Sequence, residues 1–321
     1  MSSKTALITG VGGQDGSHLA DLLLAKGYKV VGTTRSPAAD RPGGLFVLAQ
    51  WDLRDEVTLR RLIEQSQPDE IYNFAAYSTG AGMFDEPVGI GDINGLTVTR
   101  ILEAIRTQKP ATRFCQASSS EMFGAPAQSP QSEETPLRPL SPYGAAKLYG
   151  HNMVDIYRRR YGVFATSAIF FNHESPRRGP GFVTRRVTDG AARIKLGLAD
   201  DLAMGNLDAR RDWGFSGDYV RGAWLMLQAD IAEDFVFATG QTHSVRDLCE
   251  IAFSHVGLDY QRHVRQEASA ARPHETVAMT GNAAKAAAVL DWRPTMTFSD
   301  MICQMVDAEL KRLSQHQPAP E

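Results

Sequence analysis

The chain has 321 residues, of which 43% are hydrophobic and 22% are charged, and its formal net charge is −3. This composition suits one large globular unit or two domains, and the weak charge gives no electrostatic reason to expect a nucleic acid or an anionic membrane as a partner. The three cysteines, Cys115, Cys249 and Cys303, are far apart and lack metal-ligand spacing, so neither a disulfide framework nor a metal site is expected.

The sequence pattern shows no targeting signal. No apolar run approaches the roughly 18 residues that a membrane span needs. The N-terminus passes from Met1-Ser2-Ser3-Lys4 into a strand-like run without a signal-peptide layout. These features predict a soluble protein of the cytoplasm.

The N-terminal part of the chain alternates short apolar runs with segments of helical periodicity. Residues 5–10 form an apolar run that ends in glycine, and residues 17–26 follow with leucines on one face and Gly27 as a stop. Strands are predicted over 5–10, 29–33, 46–48, 71–74, 114–117 and 164–171, and helices over 17–26, 55–65, 92–107 and 144–160. This alternation predicts an α/β fold whose parallel sheet is doubly wound, with helices on both faces.

The rhythm changes after residue 172, where turn residues become frequent. Helices are predicted over 183–196, 216–229, 244–256 and 298–313. We expect residues 1–172 to form a nucleotide-binding domain, to which the chain returns at about 215–240, and residues 173–321 to form mainly a smaller mixed α/β substrate-binding domain.

A glycine-rich loop, Gly10-Val-Gly-Gly13-Gln14-Asp15-Gly16, separates the first predicted strand from the first helix. Glycines allow a tight turn and a close approach of the backbone to a pyrophosphate, and the helix N-terminus favours its negative charge. A glycine pattern alone is weak evidence, but this one has the strand-turn-helix context that the motif needs. It predicts a Rossmann-type nucleotide-binding domain.

The ends of the following strands indicate which nucleotide is bound. Arg35 and Ser36 stand where a site for NAD usually has an acidic residue, and they suit a 2′-phosphate, which favours NADP over NAD. The alternative is that Arg35 is an ordinary solvated arginine. Asp52 and Leu53 are predicted to meet the adenine, and the small Ala75 permits backbone approach to the cofactor.

Five residues form the predicted catalytic centre. Tyr143 and Lys147 are four positions apart on a predicted helix and share a face. A lysine ammonium and a positive nicotinamide ring would both lower the pKa of the tyrosine, which is near 10 when free. Ser119 or Ser120 can share the substrate proton, and Glu121 adds a base for a proton on carbon. The alternatives are a surface Tyr-Lys pair and a structural carboxylate.

Seven stretches carry the most specific pattern. They are Thr9–Gly16, Gln67–Asn73, Gln116–Gly124, Ser141–Lys147, Phe171–Gly179, Phe182–Arg185 and Arg211–Gly214. Together they resemble the extended short-chain dehydrogenase/reductases, and among these the GDP-mannose 4,6-dehydratases, over nearly the whole chain. The resemblance implies that Tyr143 takes the proton of the sugar 4-hydroxyl while a hydride leaves C4 for NADP. Glu121 then removes the C5 proton, water leaves from C6, and the hydride returns to C6.

The resemblance also implies residues that bind the ligands. His173 would contact the cofactor, Asn172 would lie near sugar and cofactor, and Val183 would lie near the guanine. Arg186 stands where the family more often has Lys beside Arg185. The remaining substrate contacts implied are the diphosphate ligands Arg211 and Arg272 and the ribose ligand Glu275.

The chain departs from the family in four places. Position 119 is Ser where the family usually has Thr, which keeps the hydroxyl but loses a stiff methyl branch. Residues 77–82 include two glycines in a stretch that faces the hexose, so GDP-manno-heptose is an alternative substrate beside GDP-mannose. The loop after the second strand is cut to Arg35-Ser36-Pro37, which predicts a homodimer rather than a tetramer. Residues 261–272 are short, so the substrate lid differs.

Two other functions compete with a dehydratase. An epimerase or reductase of the same fold has no need for Glu121. A non-catalytic NADP-binding protein would be expected to lack Tyr143 or Lys147, and both are present.

Overall fold

A computed structural model describes residues 3–35, 46–77, 84, 86–267 and 279–315. Seven strands form its central sheet: β1 (Thr5–Thr9), β2 (Lys29–Thr34), β3 (Phe46–Gln50), β4 (Glu70–Asn73), β5 (Arg113–Ser119), β6 (Ala165–Phe170) and β11 (Phe235–Phe237). The strand order is β11-β6-β5-β4-β1-β2-β3, and every neighbouring pair is parallel. The predicted α/β fold with a Rossmann-type parallel sheet is confirmed.

Helices and short strand pairs complete the described part of the chain. The helices are α1 (Gln14–Ala25), α2 (Glu56–Ser66), α3 (Pro87–Gly91), α4 (Thr97–Gln108), α5 (Pro142–Tyr161), α6 (Val183–Lys195), α7 (Ser216–Met226), α8 (Val245–His255), α9 (Tyr260–His263), α10 (Ala284–Leu290) and α11 (Phe298–Ser314). The short strands are β7 (Asn172–Glu174), which pairs with β10 (Trp213–Phe215), β8 (Leu202–Met204), which pairs with β13 (Val264–Gln266), and β9 (Arg210–Arg211), which pairs with β12 (His243–Ser244). Within these described residues, no helix combines the length and the apolar character needed to cross a bilayer.

Both faces of the sheet are buried. In β1, Leu7 belongs to a hydrophobic cluster with Ile71 and Phe114, whereas its neighbour Ile8 belongs to the cluster on the other face with Tyr72. Every residue of β4 and β6 is buried. Such strands read as continuous apolar runs rather than as alternating ones, which explains why apolar runs located them in the sequence.

A third hydrophobic cluster lies between helices of the C-terminal part. Most of its members come from α6, α8 and α11, among them Val187, Leu248, Phe253, Met305 and Val306. This cluster is separate from the two that cover the sheet. The domain boundary at residue 172 stays a prediction.

The structure differs from the predicted elements at several helices. The predicted helix at 17–26 begins at Gln14, because Gly13 is its extended N-cap and the first turn carries polar residues without apolar periodicity. The predicted helix at 92–107 is preceded by α3 and begins with a π-helical turn over Asp92–Leu96. Strand β11 and helix α10 have no counterpart among the predicted elements.

The sheet topology fixes where a ligand can bind. The strand order reverses between β1 and β4, since β1 continues to β2 and β3 on one side, while β4 continues to β5 and β6 on the other. In open α/β sheets, ligands bind outside the carboxyl ends of the strands at such a switch point. The glycine-rich loop and the end of β5 both lie at this edge.

Candidate active site

The loop between β1 and α1 lies too close to neighbouring backbone for side chains. Gly10 has a φ of +68°, and a Cβ atom there would lie 2.8 Å from the backbone of Ala75. A Cβ atom at Gly16 would lie 2.3 Å from the carbonyl oxygen of Gly10. Gly10 and Gly16 are therefore required by the geometry. Gly16 lies in the first turn of α1, whose N-terminus is available to an anion.

This loop borders a cavity of about 530 Å³, the glycine-loop cavity. Eight of the predicted cofactor residues line it: Gly10, Gly13, Gln14, Asp15, Gly16, Arg35, Leu53 and Ala75. Asp52 is not among the described lining residues. Its carboxylate accepts hydrogen bonds from the Arg54 side chain at 3.1 and 2.9 Å, and these lower the pKa of Asp52 to about 2. Ser36 lies outside the described residues.

Asp15 and His173 form a buried ion pair beside this cavity. The carboxylate of Asp15 lies 3.0 Å from Nε2 of His173, and Nδ1 of the same ring lies 2.7 Å from the carbonyl oxygen of Phe171. Both partners accept hydrogen bonds, so both ring nitrogens donate and the imidazole is protonated. Burial opposes both charges, but their mutual attraction outweighs it. The pair holds the pKa of Asp15 below its usual range and raises the pKa of His173.

The predicted catalytic residues meet in a second cavity of about 140 Å³, the tyrosine cavity. Its walls include Ser119, Ser120, Glu121, Tyr143 and Lys147, together with Asn172 and His173. Five residues line both cavities and mark their junction: Asp15, Phe74, Ala76, Arg178 and Phe182. The catalytic set and the glycine loop therefore face connected spaces.

A helix cap and a glycine bring Tyr143 and Glu121 close together. Ser141 caps α5 by accepting a hydrogen bond from the Gly144 backbone at 3.0 Å. A Cβ atom at Gly144 would lie 2.6 Å from the carbonyl oxygen of Glu121. The glycine after Tyr143 thus allows the first turn of α5 to approach the 3₁₀ turn Ser120–Met122 that carries Glu121.

Lys147 is held at the end of β5 by a single defined contact. Its side chain is buried, and Nζ donates a hydrogen bond to the carbonyl oxygen of Ala117 at 2.8 Å. Nζ lies 5.7 Å from the centre of the Tyr143 ring. Burial lowers the pKa of Lys147 to about 8 although the charge of Asp15 opposes the fall, so the ammonium form still predominates at neutral pH.

The pKa of Tyr143 in the protein alone is set by its surroundings rather than by Lys147. In the protein alone, burial and the charge of Glu121 raise this pKa to about 12, although a hydrogen bond from Ser119 and the charge of Arg178 oppose the rise. Lys147 is not among the causes of the shift. The lowering of this pKa by the nicotinamide ring and the Lys147 ammonium concerns the cofactor-bound state and stays a prediction.

The catalytic arrangement agrees with a match to known proteins. The family model for GDP-mannose 4,6 dehydratase matches residues 7–305 of this chain. The chain belongs to the GDP-mannose 4,6-dehydratase family.

Relatives from distant organisms carry the same resemblance along their length. GDP-mannose 4,6 dehydratase 1 of Arabidopsis thaliana is 42% identical over 96% of this chain and 90% of its own. The human GDP-mannose 4,6 dehydratase is 40% identical over 96% of this chain and 92% of its own. The GDP-mannose 4,6-dehydratase of Vibrio cholerae is 41% identical over 98% of this chain and 95% of its own.

Solved structures of lower identity share the fold. The dTDP-glucose 4,6-dehydratase of Bacillus anthracis, in complex with NAD, has a TM-score of 0.84 at 20% identity and covers 97% of this chain and 98% of its own. The RMD protein of Pseudomonas aeruginosa, complexed with NADPH, has a TM-score of 0.83 at 24% identity and covers 97% of this chain and 100% of its own. At these identities the likeness concerns the fold alone.

The residues assigned to the GDP part of a substrate in this dehydratase family are more scattered than the catalytic residues. Arg186 is exposed on α6 and donates to the carbonyl oxygen of Ala203 at 2.5 Å. Arg211 lies on β9 and donates to the carbonyl oxygen of Arg210 at 2.8 Å. Neither these residues nor Val183 line the two cavities, whereas Asn172 does. Arg272 and Glu275 lie outside the described residues, so this part of the substrate site stays a prediction.

The sequence reasoning missed one cationic residue of this family member's site. Arg178 lines both cavities, and its guanidinium carbon lies 3.4 Å from the centre of the Phe182 ring. A signal was present, because two arginines follow Pro176 inside one of the family-like motifs. Spacing alone does not tell that Arg177 lines only the glycine-loop cavity, whereas Arg178 lines both.

Proposed function

We propose that this protein converts GDP-mannose to GDP-4-keto-6-deoxy-mannose and water, with a nicotinamide cofactor that is regenerated in each cycle. One observation carries the proposal. Tyr143, Lys147, Ser119 and Glu121 converge in one cavity that adjoins the glycine-loop cavity. A proton-handling set for an alcohol is thus combined with a carboxylate, next to a space with the geometry of a dinucleotide site.

The glycine loop fits the cofactor because side chains at Gly10 or Gly16 would clash with neighbouring backbone. When bound, NADP supplies a hydride acceptor for C4 and later a hydride donor for C6. Tyr143 takes the proton of the 4-hydroxyl as the C4 hydride leaves, and Ser119 hydrogen-bonds to Tyr143 and is placed to hold the sugar hydroxyl. Lys147 stabilises the phenolate electrostatically.

Glu121 performs the step that distinguishes a dehydratase from an epimerase. Oxidation at C4 acidifies the C5 hydrogen, and the Glu121 carboxylate removes it as a proton. The proton taken from C5 leaves with the C6 hydroxyl as water, which leaves a C5–C6 double bond. The returning hydride would add at C6, and the proton that Tyr143 took from the 4-hydroxyl would add at C5. The sugar therefore loses one water and the cofactor returns to its oxidised form.

Incubation of the purified protein with GDP-mannose and NADP tests this function. We expect a nucleotide sugar whose mass is lower by one water, without net consumption of the cofactor. The control is the same incubation with UDP-glucose, which should remain unchanged. Unchanged GDP-mannose, or a product of equal mass, would contradict the proposal, since equal mass would indicate epimerisation.

We further infer that the cofactor is NADP, because Arg35 lines the glycine-loop cavity at the end of β2 and suits a 2′-phosphate. Replacing Arg35 with Ala is expected to raise the Kd for NADP roughly 10- to 100-fold, as for the loss of a hydrogen bond to a charged group. The Kd for NAD should change little. Titration calorimetry on both nucleotides measures the difference.

Arg54→Ala is the matched control for this substitution, because Arg54 is exposed, pairs with Asp52 and does not line the cavity. It should leave both Kd values near those of the wild type. An equal loss of NAD and NADP affinity in Arg35→Ala would contradict 2′-phosphate recognition.

Four finer predictions remain proposals. Residues 78–83 lie outside the described part of the chain, so the structure gives no account of the wider sugar pocket that favoured GDP-manno-heptose. Residues 36–45 also lie outside it, and the homodimer inferred from the shortened loop remains a proposal, as does the cytoplasmic location. Of the segment 261–272, only residues 261–267 are described.

A further inference from the structure

One wall of the glycine-loop cavity is a loop rather than a helix or a strand. Residues 175–179 connect β7 to the segment before α6, and Arg177, Arg178 and Gly179 line the cavity. Loops are the more mobile parts of a fold, so a loop that forms a binding wall needs contacts that hold it.

The side of this loop facing α1 is held by three contacts. Ser175 donates a hydrogen bond to the Gln14 side chain at 2.9 Å. Arg177 donates one to the Ser17 hydroxyl at 3.2 Å and pairs with Asp21 at 2.6 Å. Ser175 is fully buried, whereas Arg177 and Asp21 are both substantially exposed. The surface pair contributes little, because exposed ion pairs are screened by solvent.

The opposite side of the loop is held by Arg185 from α6. Its guanidinium donates hydrogen bonds to the carbonyl oxygens of Pro176 at 2.9 Å and Arg178 at 3.2 Å. These two carbonyls flank the stretch that carries Arg177. Contacts to backbone carbonyls fix the path of the chain independently of the loop side chains, and a planar guanidinium can serve both while pairing with a carboxylate.

Arg185 is itself oriented by a buried carboxylate on the C-terminal helix. Its Nε pairs with Glu309 of α11, whose side chain is 1% exposed. The other oxygen of Glu309 pairs with Arg312 at 2.7 Å. A carboxylate this deeply buried is tolerated only when paired, and its two arginines point in different directions. Arg185 reaches the loop, whereas Arg312 reaches Asp189 of α6 at 2.6 Å.

Arg178 is the cavity residue whose position depends most directly on these contacts. Its guanidinium lies over the Phe182 ring and near Glu174 at 3.0 Å, an ion pair without an aligned hydrogen bond. Its side chain lines both cavities, at their junction. Because the carbonyl of Arg178 is bound by Arg185, displacement of Arg185 would shift the backbone from which the Arg178 side chain extends.

We propose that Arg185, oriented by Glu309, is a positioning residue for cofactor binding: it holds residues 176–178 so that Arg178 faces the junction of the two cavities. Helix α11 thereby determines the shape of the loop wall of the glycine-loop cavity, although α11 itself lines neither cavity. This inference rests on the proposed function in one respect, that a nicotinamide nucleotide occupies the glycine-loop cavity.

The test compares two arginines that share one carboxylate. Arg185→Met removes the two contacts to the loop, and Arg312→Met removes the other partner of Glu309 while leaving the loop contacts in place. Both should lower the Tm. Only Arg185→Met should raise the Kd for NADP, by roughly tenfold or more, and Arg185→Lys should restore part of the affinity because it can reach one carbonyl. Titration of the purified full chain with NADP gives the Kd values.

A purely structural role for Arg185 predicts a different pattern. In that case both methionine variants would lose NADP affinity in proportion to their loss of Tm, and this result would overturn the proposal, as would wild-type affinity in Arg185→Met. Should Arg185→Met fail to fold, Arg185→Lys is the milder variant, and it must show a raised Kd at a Tm no lower than that of Arg312→Met. Failure of the proposed function is seen separately, since wild-type protein would then bind NADP without converting GDP-mannose.

Discussion

Replacing Tyr143 with Phe is expected to lower kcat for dehydration of GDP-mannose by a factor of about 10²–10⁴, the usual contribution of a positioned general base. The substitution removes one oxygen from the wall of the tyrosine cavity and leaves the ring beside Lys147. Lys147 is the one lysine among the described residues of that wall. The loss should appear in kcat, because the ring still fills its space and the glycine loop is untouched.

A quench assay for the dehydrated product measures this loss, with NADP titration as the check on cofactor binding. Tyr149→Phe is the matched control, since Tyr149 lies on the same helix, is 40% exposed and has its hydroxyl 3.1 Å from that of Thr99. The control should keep wild-type turnover. A Tyr143→Phe variant that retains more than about a tenth of the wild-type kcat would exclude Tyr143 as the base.

The sequence was sufficient for the parts of this fold that are encoded locally. The six strands from β1 to β6 were located by apolar runs, because strands buried on both faces need apolar side chains at nearly every position. The glycine loop was recognisable for a related reason, since Gly10 and Gly16 occupy positions where no side chain fits.

Other parts depend on contacts between residues that are distant in the chain. Strand β11 has only three residues, and it is a strand because it pairs with β6, some seventy positions earlier. Spacing could not show that Arg178, unlike Arg177, lines both cavities, since the backbone there is held by Arg185 from α6. The raised pKa of Tyr143 likewise follows from burial and from Glu121, and helical spacing reports neither of these.

Replacing Glu121 with Gln is expected to separate the two halves of the reaction. The amide cannot accept the C5 proton, so formation of the dehydrated product should fall by about 10²–10⁴, while oxidation at C4 continues. Reduced nicotinamide should therefore accumulate on the enzyme after GDP-mannose is added, and nicotinamide fluorescence detects it. Exchange of the C5 hydrogen with deuterated solvent should stop. Glu134→Gln, at an exposed position outside both cavities, is the control. It should neither accumulate reduced nicotinamide nor lose exchange of the C5 hydrogen.

Oxidation in the Glu121→Gln variant should be at least as fast as in the wild type, for an electrostatic reason. The charge of Glu121 is one of the two main causes that raise the pKa of Tyr143 to about 12. Without this charge the pKa of Tyr143 falls, and the phenolate that takes the 4-hydroxyl proton forms more readily. The carboxylate that makes elimination possible thus opposes the preceding step. Normal dehydration by Glu121→Gln, or loss of both cofactor reduction and dehydration with folding intact, would contradict this division of roles between Tyr143 and Glu121.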